Sequence, residues 1–363
     1  IDHLKHTVLP TLLASSPLRT LVFDEADDLL DMGFHPAITE ILSLLPDKTL
    51  RQTLLFSATF PQDIQSLAHF ALNSGFKRLD AVSPTTIGGG SAAASSGRGA
   101  GGEATSTVDM VEQWYEVATF ETIPAVLLVR LEEELSSEKQ GKVICFCQTA
   151  KVTAFYADLF RKLLSAKAKV LELHSRMSQS SRMKTSDLFK RTSSCVALFT
   201  SDVSARGVDY PDVTLVLQVG MASDRTQYIH RVGRTARAGK EGRGLLLLAD
   251  FEERMALRQL NNIPMKEQPA LLRSTQVIRQ ANEQVAHQLQ LVADDCKAGA
   301  YKTWLGYYKG LTAKLGWKPE QLVQTANQFS KIIGCRTVPG ISRRTIGKMG
   351  LKGVKGLVIS ETD

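Results

Sequence analysis

Thr20-Leu21-Val22-Phe23-Asp24-Glu25-Ala26-Asp27-Asp28 is a short apolar, β-prone run that ends abruptly in carboxylates. A buried parallel strand reads this way as it reaches its C-terminal, ligand-facing edge. Carboxylate oxygens there suit a hard, water-keeping cation such as Mg2+. A second carboxylate beside such an ion can orient a water for attack on phosphorus. Acids in a row also make ordinary helix N-termini, where Asp is favoured. The stretch therefore takes its meaning from its surroundings.

The same pattern recurs downstream. Residues 53–56, Thr-Leu-Leu-Phe, run into Ser57-Ala58-Thr59, and small hydroxyl residues at a strand end can bridge neighbouring carboxylates. Pro61 opens a helix expected over 62–72, and 76–80 is a third strand candidate. Residues 85–107 are rich in Gly, Ser and Ala and read as a flexible linker or surface insertion.

A second α/β unit follows. Strands are expected at 111–117, 143–147, 170–174, 195–199, 215–219 and 244–249, with helical periodicity at 121–135, 149–165, 178–190 and 224–232. Alternation at this length implies a parallel, right-handed doubly wound sheet. Cys145 and Cys147 alternate within one strand and so share a face. Two thiols are too few for a zinc site and read as core residues. Thr200 to Asp209 leaves the strand at 195–199 with two carboxylates, Arg206 and Gly207, again at a sheet edge suited to ligands.

Tyr228 to Lys240 packs His230, Arg231, Arg234 and Arg237 together, and no Asp or Glu occurs from Gln227 to Lys240. On a helix, His230, Arg234 and Arg237 share a face. Guanidinium groups this close call for an anion between them, and a polyphosphate matches their planar forks.

After about residue 260 the strand signal stops. Residues 273–293 are Gln-rich and helical, and Tyr301, Trp304, Tyr307 and Tyr308 follow at helical spacing with Lys302 and Lys309. Aromatics interleaved with Lys can stack on bases. They can also seat a helix on the preceding domain, and Trp304 is read as packing. Formal net charge is +7, but residues 296–363 carry 12 Lys and Arg against 3 Asp and Glu, whereas the preceding 295 carry 32 against 34. A basic C-terminal fifth points to an anionic polymer. The tail from Arg336 reads as a loosely ordered phosphate-binding arm. Five cysteines in 363 residues suit a reducing compartment rather than a disulfide framework. No run of 18 apolar residues suggests a membrane span.

These pieces, in this order, resemble the DEAD-box RNA helicases over residues 1 to about 255. Asp24-Glu25-Ala26-Asp27 looks like motif II, Ser57-Ala58-Thr59 like motif III and Val143 to Thr149 like motif IV. His174 through Gln179 to Arg182 resembles the Q-x-x-R element, Thr200 to Asp209 motif V, and Tyr228 to Gly239 motif VI. Two departures are small: Ala236 stands where glycine is usual, and His174-Ser175 replaces a more usual His-Gly.

The resemblance implies an α/β fold of two RecA-like parallel-sheet domains, with ATP in the cleft between them and RNA across both. Asp24 would serve the Mg2+ and Glu25 would place the attacking water. Asp27, Ser57, Thr59 and His230 would couple the nucleotide to domain closure. Gly207 and Asp209 would line the ATP pocket, and Arg234 and Arg237 would be arginine fingers. Thr149, Gln179, Arg182, Thr200 and Asp202 would lie along the RNA backbone. The implied domains are 1–84 (the C-terminal part of the first RecA-like domain), 85–107 (linker), 108–258 (the second domain), 259–335 (helical extension) and 336–363 (flexible basic tail).

The extension also resembles that of the fungal mitochondrial DEAD-box proteins that act as RNA chaperones in intron splicing. That implies the mitochondrial matrix, with the nucleus or nucleolus as the alternative. A monomer without membrane contact is expected. The sequence starts on Ile1, inside a stretch that reads as a helix to Leu13, and contains no G-x-x-x-x-G-K-[ST] phosphate loop. The expectation is a fragment that by itself does not turn over ATP. The competing reading is a non-hydrolysing RNA-binding protein that uses the second domain and the basic tail.

Overall fold

Apolar runs ending in turn residues become parallel strands in the computed structural model, which describes residues 18–31, 35–57, 62–79, 111–136, 138–202, 208–236, 241–268 and 275–360. The helix expected over 1–13 and the segment 85–107 lie outside the described residues. The chain divides into two compact units, Ile1–Ser106 and Thr107–Asp363.

In the first unit β1 (Thr20–Phe23), α1 (Ala26–Asp31), α2 (His35–Leu44), β2 (Gln52–Leu55) and α3 (Gln62–Ala71) follow in order. The strands pair in parallel, from Thr20 opposite Gln52 to Phe23 opposite Leu55. Phe23, Ala26, Ile38, Leu42, Ile64, Leu67 and Ala71 form the core. Each helix contributes apolar residues three or four apart, the spacing of one buried face. The strand expected at 76–80 does not form over 76–79, and Asp80 lies outside the described residues. Gly75, at φ +84°, turns the chain. Phe76 then packs edge-on against His69, with ring centroids 5.8 Å apart, instead of entering a ladder.

The second unit holds β3 (Glu112–Ala118), α4 (Ile123–Glu134), β4 (Lys142–Phe146), α5 (Ala150–Leu163), β5 (Lys169–Leu173), α6 (Gln179–Arg191), β6 (Val196–Thr200), β7 (Leu215–Val219), α7 (Arg225–Val232), β8 (Arg243–Ala249), α8 (Glu253–Gln259) and β9 (Lys266–Glu267). The seven strands lie in the order β5-β6-β4-β7-β8-β3-β9, every pair parallel. β4, β6 and β7 are buried along their whole length. This is why they read as continuous apolar runs rather than alternating ones. The helices start where the sequence offers a cap: Thr149 before α5, Ser178 before α6 and Asp224 before α7 each accept a backbone N–H from the first turn. The sequence does not announce β9, two charged residues long. It is pinned to β3 by Lys266, whose Nζ lies 3.0 Å from Glu112 Oε1 and 5.2 Å from the Trp114 ring centre. Cys145 and Cys147 are fully buried in one core, and burial pushes the Cys147 thiol up to about 12.

The extension adds α9 (Thr275–Leu289), α10 (Asp294–Leu315) and α11 (Pro319–Ile332), then β10 (Ile341–Ser342), α12 (Arg343–Lys348) and β11 (Ile359–Ser360). Trp304, 2% exposed, stacks between Phe120 and Phe329 at centroid distances of 5.6 and 5.0 Å. The packing reading of Trp304 therefore holds. The flexible-tail reading of 336–363 does not hold for the described part. β10 and β11 pair in parallel, and Ile341, Ile346 and Leu351 are buried against the main core. Three apolar side chains among many Lys and Arg suffice to anchor this segment, and composition alone masks them. Among the described residues no helix is long and apolar enough to cross a membrane.

Candidate nucleotide and RNA site

In the first unit the backbone builds the site. Ala26 N–H donates to Phe56 O at 3.0 Å and Phe56 N–H to Phe23 O at 2.8 Å, so the β1–β2 pairing continues past both strand ends. That brings Ser57 alongside the Asp24–Asp27 turn. Glu25 sits at φ +49°, and its N–H is accepted by Asp24 Oδ1 at 3.0 Å. Left-handed backbone at a non-glycine residue costs about 1–2 kcal/mol and gathers at functional sites. Ala26 is fully buried, Asp27 is 3% exposed, and Asp24 is left facing solvent. Ser57 Oγ is buried with no hydrogen-bond partner among the described residues. Thr59 lies outside them.

Among the described residues no group of three or more His, Cys, Asp or Glu gathers to hold a metal. Mg2+ does not require one, since it commonly takes one or two carboxylates with waters and substrate phosphates. Exposed Asp24 at a strand end fits that role.

In the second unit buried ion pairing builds the site. Arg231, 1% exposed, donates through Nε to Asp202 Oδ1 at 2.7 Å, with Nη2 2.6 Å from the same oxygen. Its Nη1 reaches Gln218 Oε1 at 3.4 Å, and its guanidinium lies 5.4 Å from the Phe146 ring centre. Asp202 thus reaches across from the loop after β6 to clamp α7. One member of the arginine cluster is neutralised from within, by an acid 29 residues away. Arg234, on the other face of the turn, donates from Nε to His230 O at 3.2 Å and from Nη1 to Val208 O at 2.7 Å. This ties it to the segment that ends in exposed Asp209. His230 is buried on the same helix. Thr235 donates to Val213 O at 2.5 Å, and Ala236 takes φ +53°. Gly242 fits against this turn because a Cβ there would lie 2.0 Å from Thr235 Oγ1. Gly207 and Arg237 lie outside the described residues.

The expected RNA contacts divide. Gln179 and Arg182 occupy the first turn of α6, where Arg182 Nη2 donates to Gln179 Oε1. Asp202 is partly exposed beside its arginine. Thr149, half-buried, caps α5 and lies 2.9 Å, oxygen to oxygen, from Thr303 of the extension. Thr200 is fully buried, with its hydroxyl donated to Leu173 O at 2.7 Å, so its side chain is spent inside the sheet. Nearby, His174 Nδ1 accepts Arg176 N–H at 3.2 Å, leaving Nε2–H to Glu172 Oε1 at 2.8 Å. Burial alone would raise the Glu172 carboxyl, but donation from His174 and Arg161 holds it below the usual range.

Arg231, which the sequence places among the phosphate-seeking arginines, is instead committed to Asp202, and nothing in the sequence marks Gln218, Gln148 or Glu252. Glu252 is buried and accepts from Tyr308 Oη at 2.6 Å and from the Met221 and Ala249 N–H groups at 3.0 Å each. Burial nonetheless lifts its carboxyl above the ordinary range. Gly220, at φ +76°, leaves room for Gln148, whose Nε2 a Cβ would meet at 2.2 Å. The only sequence signal for this seam was the Tyr307-Tyr308 pair.

Two family models match: one described as "Helicase conserved C-terminal domain" over residues 126–239 and one as "DEAD/DEAH box helicase" over residues 2–67. "DEAD-box ATP-dependent RNA helicase 26" of Arabidopsis thaliana is 41% identical over 340 residues, covering 94% of this chain and 36% of that protein. "ATP-dependent RNA helicase MSS116, mitochondrial" of Phaeosphaeria nodorum is 38% identical over 346 residues, covering 94% and 58%. The chain therefore spans only part of the length of the curated relatives it matches. Among solved structures, Mss116p bound to ssRNA and AMP-PNP superposes with a TM-score of 0.71 at 24% identity, covering 92% of this chain and 63% of that one. The Mss116p helicase domain 2 bound to an RNA duplex does so at 0.55 and 23%, covering 66% and 94%. At these identities the structural likeness is one of fold.

Proposed function

The chain belongs to the DEAD-box helicase family, and from that premise we propose that it acts in an ATP-dependent RNA helicase that remodels RNA by coupling local strand separation to ATP hydrolysis. Asp24 would hold Mg2+, which when bound offsets the negative charge of the nucleotide phosphates. Glu25 positions and deprotonates the attacking water. Arg234, with Arg237, presents guanidinium to the charge that builds on the transferred phosphoryl group. Gly207 and Asp209 border the nucleotide. Asp27, Ser57, Thr59 and His230 transmit its presence to the RNA side. Thr149, Gln179 and Arg182 take the RNA backbone, as does Asp202 from beside Arg231, while the buried Thr200 contributes through its main chain. Such contacts carry little sequence preference.

The observation that supports this reading most is Arg234 itself. Arg234, 6% exposed, is fixed in the structure by donation to the His230 and Val208 carbonyls, at the loop end that leads to Asp209. A guanidinium oriented in this way is pre-organised, and its planar fork suits phosphate.

In the full-length protein, Arg234→Ala is expected to keep ATP binding and to lower RNA-stimulated hydrolysis by about 10³-fold or more. RNA-stimulated turnover at the wild-type rate in that variant would refute the assignment. The mitochondrial matrix is the compartment proposed, by analogy with the Phaeosphaeria nodorum relative whose name includes the word mitochondrial. A monomer is proposed in solution, to be checked by sedimentation.

A further inference from the structure

On α10, Gly299, Thr303 and Tyr307 stand four residues apart and form one stripe. Gly299 gives space to Lys151, whose Cδ a Cβ there would approach to 3.2 Å. Tyr307 Oη donates to Met221 O at 2.6 Å. Between these two contacts, Thr303 Oγ1 lies 2.9 Å from Thr149 Oγ1. Each hydroxyl has one proton, so the direction of the bond can be worked out. Thr303 lies within donating distance of its own helix's carbonyls, 3.0 Å from Gly299 O and 3.2 Å from Ala300 O. Its proton is spent there. Thr149 Oγ1 already accepts the Val152 N–H at 3.2 Å as the α5 cap. The proton of Thr149 is therefore the one left to join the two residues, and Thr303 accepts it.

We propose that Thr303 of the C-terminal extension is a latch on the RNA-contacting hydroxyl of Thr149, competing with an RNA phosphate oxygen for the same proton. This rests on the reading above that Thr149 lies along the RNA backbone. A phosphate oxygen only accepts hydrogen bonds, so Thr149 must turn its proton away from Thr303 to engage RNA. The free protein keeps the Thr149–Thr303 bond, and the complex gives it up. The latch lowers RNA affinity by the net worth of one neutral hydrogen bond, about two- to tenfold. Thr303 is thus a positioning residue that touches no RNA.

The test uses the 363-residue chain and a fluorescein-labelled single-stranded oligouridylate, with Kd read by anisotropy at one fixed salt concentration. Thr303→Val keeps the shape and removes the acceptor. It is expected to tighten binding about two- to tenfold without raising the melting temperature. Thr303→Ser restores the hydroxyl and is expected to bind as wild type. Thr149→Val is expected to weaken binding. A purely structural Thr303 would leave affinity unchanged or lower it when replaced. Unchanged or weaker binding by Thr303→Val, alongside weakened binding by Thr149→Val, overturns the latch and leaves the RNA reading intact. Unchanged binding by Thr149→Val removes Thr149 from the RNA site and the latch with it. Should Thr303→Val not fold, Thr303→Ala carries the same expectation.

Discussion

Two functional turns, one in each unit, hold a non-glycine residue in left-handed backbone, and they use it differently. In the Asp24–Asp27 turn the strained residue is Glu25 itself, at φ +49°. In the turn after α7 it is Ala236, at φ +53°, beside Arg234 rather than part of the chemistry. In the first case the strain aims the carboxylate proposed to position the attacking water, and it cannot be relieved without moving that carboxylate. In the second a bystander methyl carries the strain, while Arg234, the proposed phosphate-facing arginine, donates to carbonyls and its neighbour Arg231 to Asp202. Backbone conformation therefore sets the geometry of one turn, and side-chain pairing sets that of the other. The two should fail in different ways.

Among the changes that test this contrast, the largest expected effect is at Glu25. Glu25→Gln in the full-length protein keeps the backbone and removes the base, so hydrolysis should fall by about 10²–10⁴-fold with the melting temperature unchanged. A parallel loss of thermal stability would erase the contrast between the turns.

Arg231→Ala comes next and should do the reverse. It opens the clamp between α7 and the loop after β6 and leaves buried Gln218 short of a donor. About 2–3 kcal/mol of stability should go, seen as a melting shift of roughly 5–10 °C in the second unit. RNA affinity should fall only through Asp202.

The smallest effect sharpens the comparison most. Ala236→Gly removes the left-handed penalty of about 1–2 kcal/mol but gives the unfolded chain about 0.4–1 kcal/mol more entropy to lose. The net gain should be about 0.5–1 kcal/mol, or about 1–3 °C by calorimetry. A lower melting temperature would mean that the methyl contributes packing which outweighs its strain.

Much of this was legible in the sequence because it is local. The strands expected in the second unit fall within a residue of the bounds that periodicity suggests and the expected helices within two, as β4 and α5 illustrate. Capping residues such as Thr149 and Asp224 announce their own helices. The pairing of distant side chains was not legible. Arg231 reads as one more phosphate-seeking arginine until Asp202 is seen in front of it. Thr149 and Thr303 are separated by 154 residues, and no spacing rule links them. Thr200 reads as an accessible loop hydroxyl, yet as the last residue of fully buried β6 it turns inward. The segment from Arg336 misleads in another way, because its many Lys and Arg hide the three apolar residues that fold it. A strand as short as β9 offers no period at all.

Helix α10 bonds to three segments that leave the sheet: Gln148 after β4 through Tyr308, Met221 after β7 through Tyr307, and Glu252 after β8 through Tyr308. Two adjacent phenols on a rigid rod thereby gauge three loops at once. A residue inserted into any of these loops would carry its acceptor or donor out of register with the other two. Apart from Gln148 and Glu252, the side chains of these loops can change without breaking these bonds, but the loop lengths cannot. Growth of the second unit is confined to connections that α10 does not hold.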